Sequence, residues 1–406
     1  MTILLSAYRG ATQLVPLIAK RHLRKRIDRG KEDPVRWTEK LGQPSALRPK
    51  GKIIWLNAVG LGEVLSLRGL IAAMANETDA TFLVTSTTRA SAQVLAQNLP
   101  ERTIHQFLPF DAPPYRRAFL DHWQPDLCIW AEQDLWPGFV LGLQRRRIPQ
   151  VMVAARMTAE RFAKNKPWAN TFAKLYNKMA LITAQDDATA ERLTTLGAKD
   201  VQITGSLKPA SPPLENKSDL FMALHTAMSD RFVWIAAPTH PEDETIALTA
   251  HASLLQVTPN ALLIIAPRAP DRAVTTVLPT ATRSKGEHPT SDQSVFIADT
   301  FGELGTLYRL AQAALIGGTF GETEGHSPWE AAALNTAILH GPRTANFAPD
   351  FAALGAGEGA LAVSTAEDVV KALKGDLAKG ARNAAAVRAA EGARTTALAQ
   401  KLIALA

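Results

Sequence analysis

The stretch KIIWLNAVGLGEVLSLRGLIAAM, residues 52–74, sets a carboxylate just past a hydrophobic run and a glycine-bearing turn. Glu63 follows Gly60-Leu61-Gly62 and opens a periodic apolar segment, which places it in the first turn of a helix. The backbone dipole stabilises an acid there by about 0.3–1 kcal/mol. That same field lowers the proton affinity of the carboxylate. Two readings stand: a partner of the helix dipole, or a general base whose basicity burial or a bound substrate restores. A dinucleotide fingerprint is excluded, because Leu65 holds the third glycine position and the next run, TFLVTST, ends without an acid for a ribose hydroxyl.

Other polar groups also follow apolar runs. Glu132 and Asp134 lie directly after DLCIW, where they either line a polyol site or, for Asp134, cap the helix begun by Trp136-Pro137. Arg156, Arg161, Lys164 and Lys166 fall within eleven residues, as a solvated face or as a grip on a phosphorylated ligand. Thr239-His240-Pro241-Glu242 and Ser327-Pro328-Trp329-Glu330 read as two capping boxes. Helix starts of this kind supply N–H groups to an anion. Arg268, the FGELG turn with Gly302, Glu303, Leu304 and Gly305, and the glycine-rich GGTFGETEGHSPWE fit a clasp on a nucleotide phosphate, and Lys208, at the hinge between the two sets of runs, could reach the same charge. His240 and His326 lack the spacing and cysteine partners of a zinc site. GHSPW lacks the second glycine of a hydrolase elbow.

These groups need strands to hold them. From Lys52 onward, short β-branched runs alternate with longer periodic ones, the pattern of a parallel sheet covered on both faces. GSLKPASPPLENKSDL, residues 205–220, is aperiodic and rich in Pro, Ser, Asn and Lys, and it separates two such sets. The expectation is an α/β chain of two doubly wound units facing a cleft, with ligands at the carboxyl ends of the strands. The tail from Val363 is Ala-rich and reads as terminal helices.

The chain has 406 residues and a net charge of +7. Residues 1–52 hold thirteen Lys and Arg against four Asp and Glu, while the other 354 residues hold 32 bases against 34 acids. The basicity is therefore N-terminal, and without a basic stripe interleaved with aromatics the body is not read as binding nucleic acid. One cysteine, Cys128, rules out a disulfide framework and fits a reducing compartment. MTILLSAYRGATQLVPLIAKRHLRKRIDRGK is interrupted by Arg9, Gln13 and Pro16, and its basic cluster comes after its apolar part, unlike a signal peptide. It is expected to be a helix lying on or dipping into an anionic inner-membrane surface; a true span and a helix packed on the body are the alternatives.

The series RGKEDPVRWTEKLG, WLNAVGLGEVLS, LPFDAP, AEQDLWP, AARMTAERF, ITGSLK, APTHPEDE, APRAPDR, GELGTLYRLAQAALIGGTF, EGHSPWEAAAL and GPRTANF resembles, in order and spacing, the bacterial 3-deoxy-D-manno-octulosonic acid (Kdo) transferases of lipopolysaccharide synthesis. The resemblance covers residues 29–347. It implies a GT-B glycosyltransferase on the cytoplasmic face of the inner membrane. Such an enzyme moves Kdo from CMP-Kdo, with inversion, to a hydroxyl of the phosphorylated lipid A precursor. It further implies Glu63 as general base. Lys208, Thr239, Arg268, Gly302, Glu303, Leu304, Gly305, His326, Ser327, Glu330 and Asn346 would bind the donor; Gly62, Glu132, Asp134, Arg156 and Arg161 would bind the acceptor. No cofactor or obligatory metal is implied. The segments expected are a membrane-associated helix at 1–30, an acceptor domain at 31–208, a CMP-sugar domain at 209–385 and a terminal helix at 386–406. Departures include Gly60-Leu61-Gly62 for Ser-Val-Gly, Ala269 for histidine, Glu324 for glycine, Ser327 for asparagine and Arg343 for a common histidine. A GT-B enzyme with a UDP-sugar donor, or a membrane-associated binding protein that has lost turnover, are the rival readings.

Overall fold

A computed structural model of the chain describes residues 2–132 and 135–406. It divides into two units, Met1–Ser211 with Gly392–Ala406, and Pro212–Glu391.

In the first unit, helix α1 (Ile3–Asp28) precedes β1 (Ile53–Asn57), α2 (Leu61–Ala75), β2 (Thr81–Ser86), α3 (Arg89–Asn98) and β3 (Thr103–Phe107). Next come α4 (Pro113–Trp123), β4 (Leu127–Ala131), α5 (Pro137–Arg145) and β5 (Gln150–Ala155). The unit continues with α6 (Ala159–Asn165), α7 (Ala169–Tyr176), β6 (Leu181–Ala184), α8 (Asp187–Thr195) and β7 (Gln202–Ile203). The strands pair in parallel in the order β3-β2-β1-β4-β5-β6-β7. Every residue of β1 is buried, the reason it reads as an unbroken apolar run rather than an alternating one. One face rests on Ile54, Leu56, Val64, Leu67 and Leu70, joined by Leu398 and Leu402. The other carries Trp55 against Phe119, Trp130 and Phe139 at centroid separations of 4.9–5.4 Å, tilted or edge-on as ring quadrupoles favour.

The second unit contains α9 (Ser218–Ala227), β8 (Val233–Thr239), α10 (Pro241–Leu255), β9 (Leu262–Pro267), β10 (Thr280–Thr282) and β11 (Val295–Ile297). After these come α11 (Leu304–Leu310), β12 (Ala313–Ile316), α12 (Trp329–Ala332) and β13 (Ala337–His340). Helix α13 (Ala348–Ala356), β14 (Ala360–Ala362), α14 (Ala366–Leu373) and α15 (Leu377–Ile403) complete the order, the part of α15 from Gly392 onward belonging to the first unit. Its sheet is also parallel, in the order β10-β11-β9-β8-β12-β13-β14. The short edge strands β10 and β14 are the two that the sequence pattern misses, since Thr280-Ala281-Thr282 is mostly polar and Ala360-Leu361-Ala362 has no β-branched residue.

Helix α1 buries Leu5, Ala19 and Leu23 against the first unit. Tyr8 Oη donates to Asp111 Oδ2 at 2.7 Å, and the same carboxylate accepts from Gly138 N at 2.6 Å and Arg116 Nη1 at 2.9 Å. Burial pushes the Asp111 carboxyl up, against the opposing effect of these donors. The opposite side of α1 exposes Ile3, Leu14, Leu17 and Ile18, at 62–91% of their surface. No described helix is long and apolar enough to cross a membrane.

Candidate functional site

In each sheet the strand order reverses once, between β1 and β4 in the first and between β8 and β12 in the second. Crossover helices leave opposite faces at such a point and open a crevice beyond the carboxyl ends of the strands, where ligands bind. Because all strands are parallel, every loop after a strand leaves from this same edge.

In the first unit, Glu63 follows β1 and Glu132 follows β4, the two strands at the reversal. Gly60 is the N-cap of α2 and Glu63 the third residue of the helix. Glu63 Oε2 accepts from Val59 N at 2.7 Å and Gly60 N at 3.3 Å, which folds the carboxylate back over the turn. Gly62 is exposed beside it. Glu132 is half-buried with φ 56°, a left-handed conformation imposed as the chain leaves the strand. Arg156 leaves β5 at the same edge, and Arg161 lies exposed in the first turn of α6, whose N-cap Thr158 accepts from Arg161 N. Asp134 falls outside the described residues. Lys208, in a short 3-10 turn, belongs to the first unit. Asn57 ends β1, buried, with Oδ1 accepting from Thr85 Oγ1 at 2.9 Å and Nδ2 unpartnered. Sequence reading passes over it because a lone asparagine ending an apolar run has no motif.

In the second unit, Thr239 ends β8, Arg268 follows β9, Glu303 lies beyond β11, His326 and Ser327 beyond β12, and Asn346 beyond β13. The expected capping boxes are corrected. The cap of α10 is His240, not Thr239, and Asp243 Oδ2 accepts from His240 N at 2.8 Å. Thr239 stays in the strand and donates to Glu244, which Arg272 holds in an ion pair. At the second position α12 has only four residues, with Pro328 as N-cap and no side-chain cap bond, so Ser327 is not a cap. Four residues make too short a dipole for a strong anion site.

Asp243 is buried and organises this turn. Its carboxylate also accepts from Gly318 N at 2.6 Å and Phe320 N at 3.2 Å. Burial raises its pKa, against the opposing effect of these backbone donors. Gly317 leaves β12 so close to β8 that an added Cβ would lie 1.8 Å from Pro238 O. The loop returns through Gly325 N donating to Gly318 O at 2.7 Å and His326 N to Gly317 O at 3.1 Å. Asn346 Nδ2 donates to Thr323 O at 2.5 Å and so braces the same loop. His326 Nε2 lies 3.0 Å from His240 Nε2. That pairing, 86 residues apart in sequence, leaves no local signal.

Glu303 is buried among Arg283, Lys217 and Thr300. Burial raises its carboxyl, but the Thr300 and Arg283 hydrogen bonds and the two cationic charges outweigh it, holding the group below its ordinary range. Gly302 is left-handed at φ 76°, and Gly305 lets Glu215 O approach to 2.2 Å of where a Cβ would stand. A shallow cavity of about 560 Å³ lies beside Glu303, lined also by Lys217, Ser218, Arg283 and His288. Leu304 opens α11, and Arg268 is exposed, its backbone N donating to Thr239 O at 2.9 Å. Glu330 lies half-buried in α12.

Residues 35–211 match the family described as 3-deoxy-D-manno-octulosonic-acid transferase (kdotransferase). A probable mitochondrial 3-deoxy-D-manno-octulosonic acid transferase of Arabidopsis thaliana is 33% identical over 362 residues, covering 84% of this chain and 80% of the relative. This chain belongs to the Kdo transferase family. The 3-deoxy-D-manno-octulosonic acid transferase of Haemophilus influenzae is 32% identical over 351 residues, covering 81% of this chain and 79% of the relative. Membership makes the protein a glycosyltransferase of lipopolysaccharide synthesis. Two solved structures share its fold. The glycosyltransferase of kitacinnamycin is 13% identical with a TM-score of 0.53, covering 88% of this chain and 100% of that one. The UDP-GlcNAc 2-epimerase of Neisseria meningitidis is 12% identical with a TM-score of 0.51, covering 84% and 99%. The fold of this Kdo transferase family member is therefore GT-B, two Rossmann-like units.

Proposed function

We propose that the protein transfers Kdo from CMP-Kdo to a hydroxyl of the phosphorylated lipid A precursor with inversion, Glu63 serving as general base. Family membership supports the sugar transferred. The observation that carries the base is the position of Glu63 directly after a strand at the sheet reversal, its carboxylate fastened by the Val59 and Gly60 amides. Those amides hold the carboxylate in place, and in this scheme it accepts a proton once the acceptor shields it from water. Glu132, Asp134, Arg156 and Arg161 are assigned to the acceptor's polar and phosphorylated groups. The second unit is assigned to the donor, with Arg268, the glycine turns and the start of α10 facing the phosphate whose charge grows as the sugar leaves. Transfer needs no metal in this scheme, since cations and backbone N–H groups meet that charge.

The localisation proposed is peripheral, on the cytoplasmic face of the inner membrane. It is motivated by the exposed apolar side of α1 and the basic cluster that follows it.

The test is transfer of labelled Kdo from CMP-Kdo generated in situ to the lipid A precursor, with a Glu63→Gln variant alongside. Activity in the parent and a loss of about 10²–10⁴-fold in the variant are expected. No product from the parent would overturn the donor and acceptor; equal turnover by the variant would overturn the base.

A further inference from the structure

The two imidazoles at the reversal of the second sheet meet head-on. Their Nε2 atoms are 3.0 Å apart, their planes differ by 9° and their ring centroids are 5.2 Å apart. The centroid separation is the nitrogen separation plus about one ring radius on each side, so the rings are nearly coplanar and point at one another. A metal ion does not fit between them, since two metal–nitrogen bonds of about 2.0 Å in line need about 4 Å. What fits is one hydrogen. One Nε2 carries it and the other accepts it.

We infer that His240 and His326 act as a one-proton pair, taking up a proton as the donor's phosphate enters and passing it to that phosphate as the sugar leaves. This rests on the proposed donor role of the second unit.

Position is the first support. His240 directly follows β8 and His326 closes the loop after β12, the two strands where the sheet order reverses. The loop is fastened by Asp243 and by the rungs from Gly325 and His326 to Gly318 and Gly317, so the two rings are held rather than merely adjacent.

Electrostatics is the second. Burial, then the neighbouring His240, then the Arg268 charge push His326 down to about 4. Thr323 Oγ1 lies 3.3 Å from His240 Nε2. From α10, Asp243 faces the turn with its oxygens taken by the His240, Gly318 and Phe320 amides. Glu242 lies against Gly321, and Glu244 is engaged by Thr239 and Arg272. The cation facing the pair is Arg268, from the end of β9. At neutral pH His326 is therefore uncharged when no ligand is bound. An anionic phosphate beside Arg268 reverses that balance and favours an added proton on an outer Nδ1.

The reaction needs a proton there. The donor phosphodiester carries one negative charge and the released CMP about two at neutral pH. As the bond from the anomeric carbon to the phosphate oxygen breaks and the bond to the acceptor oxygen forms, the acceptor's proton goes to Glu63. The pair's proton goes to a phosphate oxygen of CMP. The imidazoles return to neutrality and the nucleotide leaves with one charge fewer.

Calorimetry of CMP binding to the full chain in buffers of differing ionisation heat counts the protons. At about pH 7.5, above the second phosphate pKa of about 6, the parent is expected to take up close to one proton per CMP, and cytidine none. His240→Gln and His326→Gln should each abolish the uptake and lower kcat by about tenfold or more, with melting temperatures reporting that the fold is kept. CMP binding without proton uptake, or uptake retained in both variants, overturns the pair's role and leaves the donor assignment standing. Absence of CMP binding by the parent overturns the donor assignment, and the pair's role with it.

Discussion

Arg343 Nε donates to Glu324 Oε1 at 3.0 Å, a bond across the loop that follows β12. Glu324 sits at φ 60°, the left-handed region that favours glycine. Glu324 is thus a side chain held at a strained position by a partner across the loop. Glu324→Gly relieves about 1 kcal/mol of backbone strain and removes a partly exposed pair worth about 0–1 kcal/mol. Urea unfolding should show a net change within about 1 kcal/mol, whereas Arg343→Ala alone should only destabilise.

Glu39 is wholly buried and accepts from Arg36 Nε at 2.8 Å, Arg36 Nη2 at 3.0 Å and Phe107 N at 2.7 Å, besides Ser45. The stretch RGKEDPVRWTEKLG is therefore bolted to the end of β3. Glu39→Ala leaves the buried Phe107 amide without its acceptor and Arg36 with the His105 carbonyl alone, and a loss of about 1–3 kcal/mol in denaturant unfolding is expected.

His105 is buried beside Ser86 Oγ at 2.9 Å, and burial, then the Arg36 charge, push its pKa down to about 3. The unfolded chain binds this proton near the ordinary value of about 6.5. Its contribution to stability is complete above that pH and is lost as the pH falls toward 3, at up to about 1.4 kcal/mol per pH unit. His251, down to about 4, acts in the same sense. Unfolding free energy measured from pH 7 to pH 4.5 should fall, and less steeply in His105→Asn.

Gly317→Ala places a methyl 1.8 Å from Pro238 O, backbone against backbone. Neither strand end can yield without moving the reversal of the sheet. A destabilisation of about 1–3 kcal/mol or more is expected, with loss of CMP binding measured by calorimetry. An unchanged melting temperature would show that the ends can separate.

Sedimentation with anionic liposomes tests the outer side of α1. Replacing Leu14, Leu17 and Ile18 by serine should weaken binding, as should neutralising Lys20, Arg21, Arg24 and Lys25. Arg26 is left unaltered because its Nε is 2.6 Å from the buried Glu32. Binding that survives both sets would reject this helix as the docking element.

The parallel sheets were legible in the chain because a strand covered on both faces must be a continuous apolar run, and β1, β4, β8 and β9 are such runs. Glu63 was legible too, since a helix start is a local event: an acid three residues past a glycine cap is bound to meet the backbone amides. The packing of α1 was not. Its sequence is equally that of a membrane helix, and only Asp111, more than a hundred residues away, gives the Tyr8 hydroxyl its partner. Glu303 and Thr239 read as ligand groups, and the fold adds Arg283 and Glu244 as their partners, which no motif announces. The histidine pair depends on β8 and β12 becoming neighbours, which follows from sheet order. Local propensity and period settle which segments are strands and helices. Which side chains face one another is settled by crossovers between distant segments, where close packing admits one arrangement.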